Sequence, residues 1–323
     1  MRHLLKPVLI SLALLLPLAG DALAQAFPTK PVRIVIGFPP GGGIDIVARI
    51  MAPKLSEALG QPVIVENKPG AGGVVGTDFV AKSAPDGHTI FFGTTGNISI
   101  NPAFIPNLPF NMDRDLAPLT QVSSVSFLLY VNPALPVKNL GELIAYSKAN
   151  PGKVNFYSSG NGGLPHLAGE LLNAAAGIKT VHVPYKGSAP GLNDLIGGQV
   201  QYGFDAVAIG LPHVKSGRLR AIATTGPKRL SILPDVPAAN ESLAGFEAVN
   251  WYGMLVPAGT PREVIVRLQR EIAKVMEIPD IRDKLIAQGT DPVGSSPEEF
   301  GAFMKSEAAK WSRVIKGANI KPD

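Results

Sequence analysis

Two long apolar segments, far apart in the chain, constrain its fold more than any other feature. They are Val122–Val131 and Ala248–Val256, and each has the pattern of an extended strand. Short β-branched runs alternate with amphipathic helical patterns before the first segment and again between the two, which predicts parallel sheets with helical crossovers. The chain would leave the first α/β unit along one extended segment and return to it along the other. This pattern predicts a two-lobed, clamshell α/β fold with two interlobe strand crossings.

The same pattern predicts where the domains divide. Lobe I is expected to comprise residues 25–125 together with 247–323, and lobe II is expected to comprise the inserted residues 126–246. Residues near 125 and 248 should then run side by side as the two crossings.

The amino terminus has the layout of a signal peptide. A basic start, MRHLLK, precedes the apolar run Val8–Ala19, which is shorter than the ~20 residues a spanning helix needs. Ala22 and Ala24 supply small residues at the −3 and −1 positions of a cleavage site. We therefore predict that residues 1–24 are removed, that the mature chain begins at Gln25, and that it is periplasmic. An uncleaved amphipathic anchor is disfavoured because the segment lacks a polar face.

Composition excludes several classes of protein. The chain contains no cysteine, which excludes disulfides, thiolate metal sites, cysteine nucleophiles and a lipoprotein anchor. Its net charge of +5 is dispersed, so nucleic-acid binding has little support, although a mildly cationic surface suits anionic small molecules. Isolated histidines predict no metal site. Residues 70–76 (GAGGVVG) lack the spacing of a dinucleotide loop, so no cofactor is predicted.

Two glycine loops are the strongest candidates for binding. Residues 38–45 (FPPGGGID) and 158–163 (SSGNGG) each follow a predicted strand and open a helix. A helix start leaves N–H groups without partners and carries a partial positive charge, which suits a carboxylate. The alternative is that both are ordinary turns whose glycines satisfy positive φ angles.

Three further side chains are candidates for a role at these loops. Asp45 is expected to order the first loop or cap its helix rather than contact an anion. Asp205 follows a predicted strand and either accepts from a ligand or caps a helix. His166 is expected to be packed. A hydrolase would require Ser158 or Ser159 with His166 and Asp205, but no Gly-x-Ser-x-Gly elbow supports one.

The chain resembles the receptors of tripartite tricarboxylate transporters, known as the Bug family, over nearly its whole predicted mature length. The resemblance rests on residues 38–43 (FPPGGG), 66–73 (ENKPGAGG), 84–89 (APDGHT), 158–162 (SSGNG), 166–170 (HLAGE), 182–187 (HVPYKG), 194–198 (DLIGG), 234–237 (PDVP) and 257–261 (PAGTP).

The resemblance implies a periplasmic receptor with the Venus-flytrap fold of periplasmic binding proteins. It would clamp a small organic carboxylate between its lobes and work with integral-membrane transporter subunits. The candidate ligand-binding residues are Phe38, Pro39, Gly41, Gly42, Gly43, Asp45, Thr94, Ser158, Ser159, Gly160, Asn161, Gly162 and Asp205.

Two departures from the family pattern bear on the ligand. Ile44 and the segment Gly163–Pro165 stand where many relatives carry hydroxyl side chains. A monocarboxylate, or an acid with an apolar or aromatic body, therefore fits better than a citrate-like anion. We expect a monomeric solute receptor that is not an enzyme. An exported hydrolase and a ligand sensor for a membrane signalling protein are the alternatives.

Overall fold

The computed structural model of the protein describes residues 27–287 and 289–322. The predicted signal peptide and the mature start at Gln25 lie outside the described residues. Within the described part of the chain, every helix is too short or too polar to cross a bilayer.

The first lobe is built on a six-stranded mixed sheet in which β10 and β4 lie between the parallel strands and β11. Its strand order is β11-β4-β10-β3-β1-β2. The strands are β1 (Val32–Ile36), β2 (Val63–Asn67), β3 (Thr89–Thr94), β4 (Leu116–Val125), β10 (Asn250–Pro257) and β11 (Thr290–Pro292). β2, β1 and β3 are parallel, as predicted, whereas β10 runs antiparallel to both β3 and β4.

The second lobe is built on a five-stranded sheet of order β7-β6-β8-β5-β9. Its strands are β5 (Phe127–Val131), β6 (Asn155–Ser158), β7 (Val181–Pro184), β8 (Tyr202–Ala206) and β9 (Arg220–Thr224). β7, β6 and β8 are parallel, and β5 runs antiparallel to β8 and β9. The two sheets thus repeat one arrangement, three parallel strands beside an antiparallel crossing strand.

The crossings lie where the sequence predicted them, with one correction. Val125 pairs with Asn250, so the outgoing and returning segments do run side by side. The prediction of one continuous strand over Val122–Val131 was wrong, because the ladder stops at Ser126. β4 ends before Ser126 in the first sheet, and β5 begins after it in the second.

Helices cover the faces of both sheets. They are α1 (Gly43–Leu59), α2 (Val74–Ala81), α3 (Asn101–Phe104), α4 (Met112–Asp115), α5 (Leu140–Ala149), α6 (Leu164–Ala176), α7 (Ser188–Ile196), α8 (Val207–Lys215), α9 (Arg262–Glu277), α10 (Pro279–Ala287) and α11 (Pro297–Gly317). α3, α4, β11 and the π-helical turn Gly96–Ile100 were not predicted, because each is too short to show a period.

Burial on both faces explains the apolar runs of the central strands. Ile90 and Phe92 of β3 face a cluster formed with α1 and α9, while Phe91 between them faces a second cluster with Trp251 and Phe300. Because alternate side chains both meet apolar partners, the strand reads as a continuous apolar run rather than an alternating one.

Helix α11 contacts the cores of both lobes. It begins at a capping box in which Ser296 and Glu299 bond reciprocally, with Pro297 in its first turn. Phe300 packs in a first-lobe cluster, and Trp311, three turns later, packs in the main cluster of the second lobe. The carboxyl-terminal helix is therefore shared between the lobes.

Candidate ligand-binding site

The loop between β1 and α1 presents an open helix start. Gly41, Gly42 and Gly43 are exposed, and no side chain of the described residues caps the helix. Gly41 has a φ of +88°, a conformation that favours glycine. Uncapped N–H groups in the first turn of a 17-residue helix form a site suited to an anion.

Asp45 holds this loop in place. Its Oδ2 accepts from the Gly41 N–H at 2.9 Å and from Arg49 Nε at 2.9 Å. Its Oδ1 accepts from Arg49 Nη2 and Asn67 Nδ2, each at 3.0 Å. The hydrogen bonds from Arg49 are the main reason that the pKa of Asp45 falls to about 2. Asp45 therefore orders the loop, as predicted, and its charge is already paired.

The neighbouring Phe38 and Pro39 shape the entrance to the loop. Phe38 is half-buried against the first-lobe core, and its carbonyl accepts from Asn67 Nδ2 at 3.1 Å. Pro39 is exposed. Asn67, at the end of β2, therefore supports both ends of the turn through Phe38 and Asp45.

Thr94 lies at the end of β3 and is tied into the loop before α2. Its hydroxyl donates to Asn97 Oδ1 at 3.1 Å, and Asn97 Nδ2 donates to the Gly72 carbonyl at 2.7 Å. The hydroxyl hydrogen of Thr94 is thus already used. On the adjacent strand, Thr94 pairs in register with Tyr252.

Tyr252 lies beside the start of α1, although it was not among the predicted site residues. Its side chain is 7% exposed, and its ring lies edge-on to Phe92 with the centroids 5.9 Å apart. A Cβ built on Gly43 would lie 2.7 Å from the Tyr252 hydroxyl, so this hydroxyl sits against the first residue of α1. The only signal in the sequence was a phenol inside an apolar strand, where a buried hydroxyl normally finds a partner.

The second glycine loop follows β6 and is braced from within. Ser158 is fully buried, and its hydroxyl lies 2.6 Å from His182 Nε2 and 2.9 Å from the Gly160 carbonyl, to which it donates. Ser159 is half-buried, and among residues 27–287 and 289–322 its hydroxyl has no hydrogen-bond partner. Of the two serines, Ser159 is the one whose side chain can still serve a ligand.

The remaining residues of this loop are fixed by their neighbours. Asn161 Nδ2 donates to the Lys321 carbonyl at 2.9 Å. The Gly162 N–H donates to His166 Nδ1 at 3.1 Å, and the His166 ring stacks on His182 with centroids 3.6 Å apart. His166 is buried, which confirms the prediction that it is a packed residue.

Gly162 is also a contact between the lobes. It has a φ of +70°, and a Cβ there would lie 2.2 Å from the ring of Phe104, which belongs to α3. Phe104 comes from the β3–β4 connection of the first lobe and packs against the second-lobe core. Only glycine leaves room for this ring.

Asp205 is buried at the end of β8. It accepts from the Tyr157 hydroxyl at 3.1 Å and from the Ala206 N–H at 2.8 Å, and burial raises its pKa. The N-cap of α8 is Ala206, so the interpretation of Asp205 as a helix cap was wrong. Its contact with a ligand stays a prediction.

The residues predicted for a hydrolase do not form a triad with Ser158. Ser158 bonds to His182 rather than His166, and a fully buried hydroxyl cannot attack a substrate. Among the described residues, no three His, Asp or Glu side chains are grouped closely enough to hold a metal ion.

Ile44 and Leu164, which lie where this chain departs from the family pattern, have side chains that face inward. Ile44 is 4% exposed in the first-lobe core, and Leu164 is 6% exposed in the second-lobe core. Neither points into the open side of its loop. Their apolar character therefore reflects packing and gives little information about the ligand.

Residues 47–320 match the sequence profile of the TctC family, the tripartite tricarboxylate transporter family receptors. The chain belongs to this family. The resemblance found in the sequence is thus confirmed, and so is the two-lobed fold of a periplasmic binding protein. TctC proteins are extracytoplasmic solute receptors.

Three relatives illustrate the similarity of this TctC receptor to known proteins. Protein BugT of Bordetella pertussis is 36% identical over 308 residues, which cover 94% of each chain. Rpa4515 of R. palustris, solved with adipate, has a TM-score of 0.79 at 33% identity, covering 92% of this chain and 100% of that chain. MatC (Rpa3494) from Rhodopseudomonas palustris, solved with bound malate, has a TM-score of 0.74 at 31% identity, covering 90% and 100%.

Proposed function

We propose that this TctC receptor binds a small organic carboxylate between its lobes and delivers it to integral-membrane transporter subunits. The observation that carries the proposal is the start of α1. Three exposed glycines lead into a long helix that has no side-chain cap within the described part of the chain, and Asp45 with Arg49 fixes their conformation. Backbone amides held in this way stabilise an anion without further rearrangement.

The second glycine loop would hold the ligand from the opposite lobe. Ser159 offers a hydroxyl without a partner among the described residues, and the loop is braced by Ser158 and His182. Proline at position 165 lacks an N–H, so α6 offers fewer amides than α1. We therefore place the principal carboxylate at α1 and assign to α6 a supporting role.

The donors identified at the two loops are uncharged, which favours a ligand with few charges. They are backbone amides and hydroxyls, and the nearby Arg49 is already paired with Asp45. Adipate and malate, found with two relatives, are dicarboxylates and serve as the first probes. A monocarboxylate therefore remains the expected ligand class, and an aromatic acid stays a candidate for the screen.

The proposed setting follows the family. The receptor acts in the periplasm as a monomer, after removal of residues 1–24, and not as an enzyme. Lobe I comprises residues 25–125 and 247–323, and lobe II comprises residues 126–246. The sharing of α11 between the two cores supports coupling of the lobes during closure.

The test is a ligand screen combined with a variant that blocks the amides. Thermal shift against adipate, malate, benzoate and acetate identifies the acids that bind, because a ligand at 100 times its Kd adds about 2.7 kcal/mol of stability. Gly42→Leu is the blocking variant. Gly42 has a φ of −76°, and a Cβ there would meet only the Pro39 carbonyl at 4.0 Å, so the fold tolerates the side chain.

Gly141→Leu is the matched control. Gly141 also lies in the first turn of a helix, α5, and is exposed, and a Cβ there would make an ordinary contact of 3.4 Å. We expect Gly42→Leu to abolish the thermal shift and Gly141→Leu to retain it. Retained binding in the Gly42 variant would overturn the placement of the carboxylate at α1.

A further inference from the structure

The hydroxyl of Tyr252 lies at the mouth of the α1 amide site. Tyr252 is on β10, and its hydroxyl touches the first residue of α1, since a Cβ on Gly43 would come within 2.7 Å of it. The Phe92 ring packs edge-on against the tyrosine ring and fixes its direction. The hydroxyl therefore sits beside the backbone amides that begin the helix.

This hydroxyl has no hydrogen-bond partner in the described part of the chain, unlike those of comparable tyrosines. The Tyr252 side chain is 7% exposed, and among the described residues its hydroxyl makes no hydrogen bond. The hydroxyls of Tyr130, Tyr157 and Tyr202 bond to Ala206, Asp205 and Thr180, respectively. The Tyr252 oxygen is not one of the fully enclosed polar atoms without a partner, so a ligand at the start of α1 can reach it.

We propose that the Tyr252 hydroxyl donates a hydrogen bond to the ligand carboxylate bound at the start of α1 and makes the site selective for carboxylates. The proposal rests on the proposed function, because it requires a carboxylate at this helix. Burial raises the pKa of Tyr252 to about 12, so the phenol remains protonated and able to donate at any periplasmic pH.

Selectivity follows from the kinds of groups that converge there. Backbone N–H groups donate only, and the Tyr252 hydroxyl can also donate, so the first turn of α1 presents several donors. A carboxylate offers two acceptor oxygens and matches this arrangement. A primary amide offers one acceptor, and its NH₂ group would face further donors. The site should therefore prefer an acid to its amide.

The experiment compares Tyr252→Phe with Tyr146→Phe by calorimetry. Tyr252→Phe removes only the hydroxyl. Tyr146→Phe makes the same chemical change on α5, at a half-buried position remote from the loops. The probes are adipate, malate, benzoate and acetate, each tested beside its corresponding amide.

For the acid that binds most tightly, we expect Tyr252→Phe to weaken binding about ten- to a hundred-fold, as for loss of a hydrogen bond to a charged group. Affinity for the amide should change much less, and Tyr146→Phe should change neither. The melting temperature without ligand should not fall in Tyr252→Phe, since the hydroxyl makes no hydrogen bond to residues 27–287 or 289–322 that could be lost.

The outcomes separate the two proposals. Unchanged acid affinity in Tyr252→Phe, with binding still lost in Gly42→Leu, would overturn the role of Tyr252 and leave the α1 site intact. An equal loss for acid and amide would contradict carboxylate selectivity. If none of the acids stabilised the parent protein, both the proposed function and this inference would be contradicted.

Discussion

Trp251 and Trp311 donate their indole N–H groups to the same carboxylate oxygen, Oε2 of Glu307, at 3.1 and 3.0 Å. Trp251 lies on β10 and packs in a first-lobe cluster, whereas Trp311 lies on α11 and packs in the main second-lobe cluster. Lys310 pairs with the other oxygen of Glu307 and lies over the Trp311 ring. One buried carboxylate thus joins the return crossing to the helix that both lobes share.

Replacing Glu307 with leucine should strongly destabilise the protein. The change leaves two buried indole N–H groups without an acceptor and Lys310 without its partner, and breaking a buried charge pair costs about 3–5 kcal/mol. Urea unfolding at pH 7 measures the loss. Glu298→Gln on the same helix is the control, because its pair with Arg262 is exposed and should contribute about 0–1 kcal/mol. Equal losses in the two variants would show that Glu307 does not have this linking role.

The two adjacent serines should separate stability from affinity. Ser158→Ala removes a buried hydroxyl that bonds to His182 and Gly160, so we expect a loss of about 1–3 kcal/mol in the free energy of unfolding. Ser159→Ala should leave stability nearly unchanged and weaken binding of the best acid about ten-fold or more. Denaturant unfolding and calorimetry on both variants provide the comparison. The reverse assignment would mean that Ser158 faces the ligand.

Asp45 should make the stability of the protein depend on pH at the acid end. Its folded pKa, about 2, lies below the unfolded value of about 3.9, so its pairing with Arg49 stabilises the protein above pH ~4. That contribution disappears as the pH falls towards 2. Asp45→Asn should therefore lose on the order of 1–2 kcal/mol at pH 7, since solvent screens the half-exposed Arg49, and almost nothing near pH 2.

Thermal unfolding of Asp45→Asn across pH 2–7 checks this dependence. The exposed Asp283→Asn on α10 is the control and should change stability little at any pH. A difference between parent and Asp45→Asn that stayed constant across the range would show that the carboxylate charge is not what orders the glycine loop.

Most of the architecture could be predicted because buried side chains recur at regular spacing along the sequence. Most strands and the long helices followed from apolar runs and four-residue spacing, and the side-by-side course of the segments near Val125 and Asn250 followed from two extended segments. Periodicity shows that a side chain is buried but not in which core. Helix α11 has one apolar face, yet Phe300 and Trp311 on that face serve different lobes.

The candidate site was predictable in its backbone and less so in its side chains. The glycines before α1 indicate their backbone conformation by residue type alone, whereas the role of a hydroxyl depends on its neighbours in space. Ser158 and Ser159 are adjacent in sequence, but only Ser158 meets His182, which lies on another strand. Tyr252 could not be assigned because its contact with Gly43 joins segments that are distant in the chain.

The central position of β10 gives the chain an order of assembly. β10 lies between β3 and β4, so these two strands cannot be joined into one sheet until residues 250–257 have been synthesised. All five strands of the second sheet are complete by Thr224. A nascent chain that emerges amino terminus first can therefore complete the sheet of the second lobe before that of the first. Until β10 has been synthesised, the edges of β3 and β4 that pair with it remain unpaired.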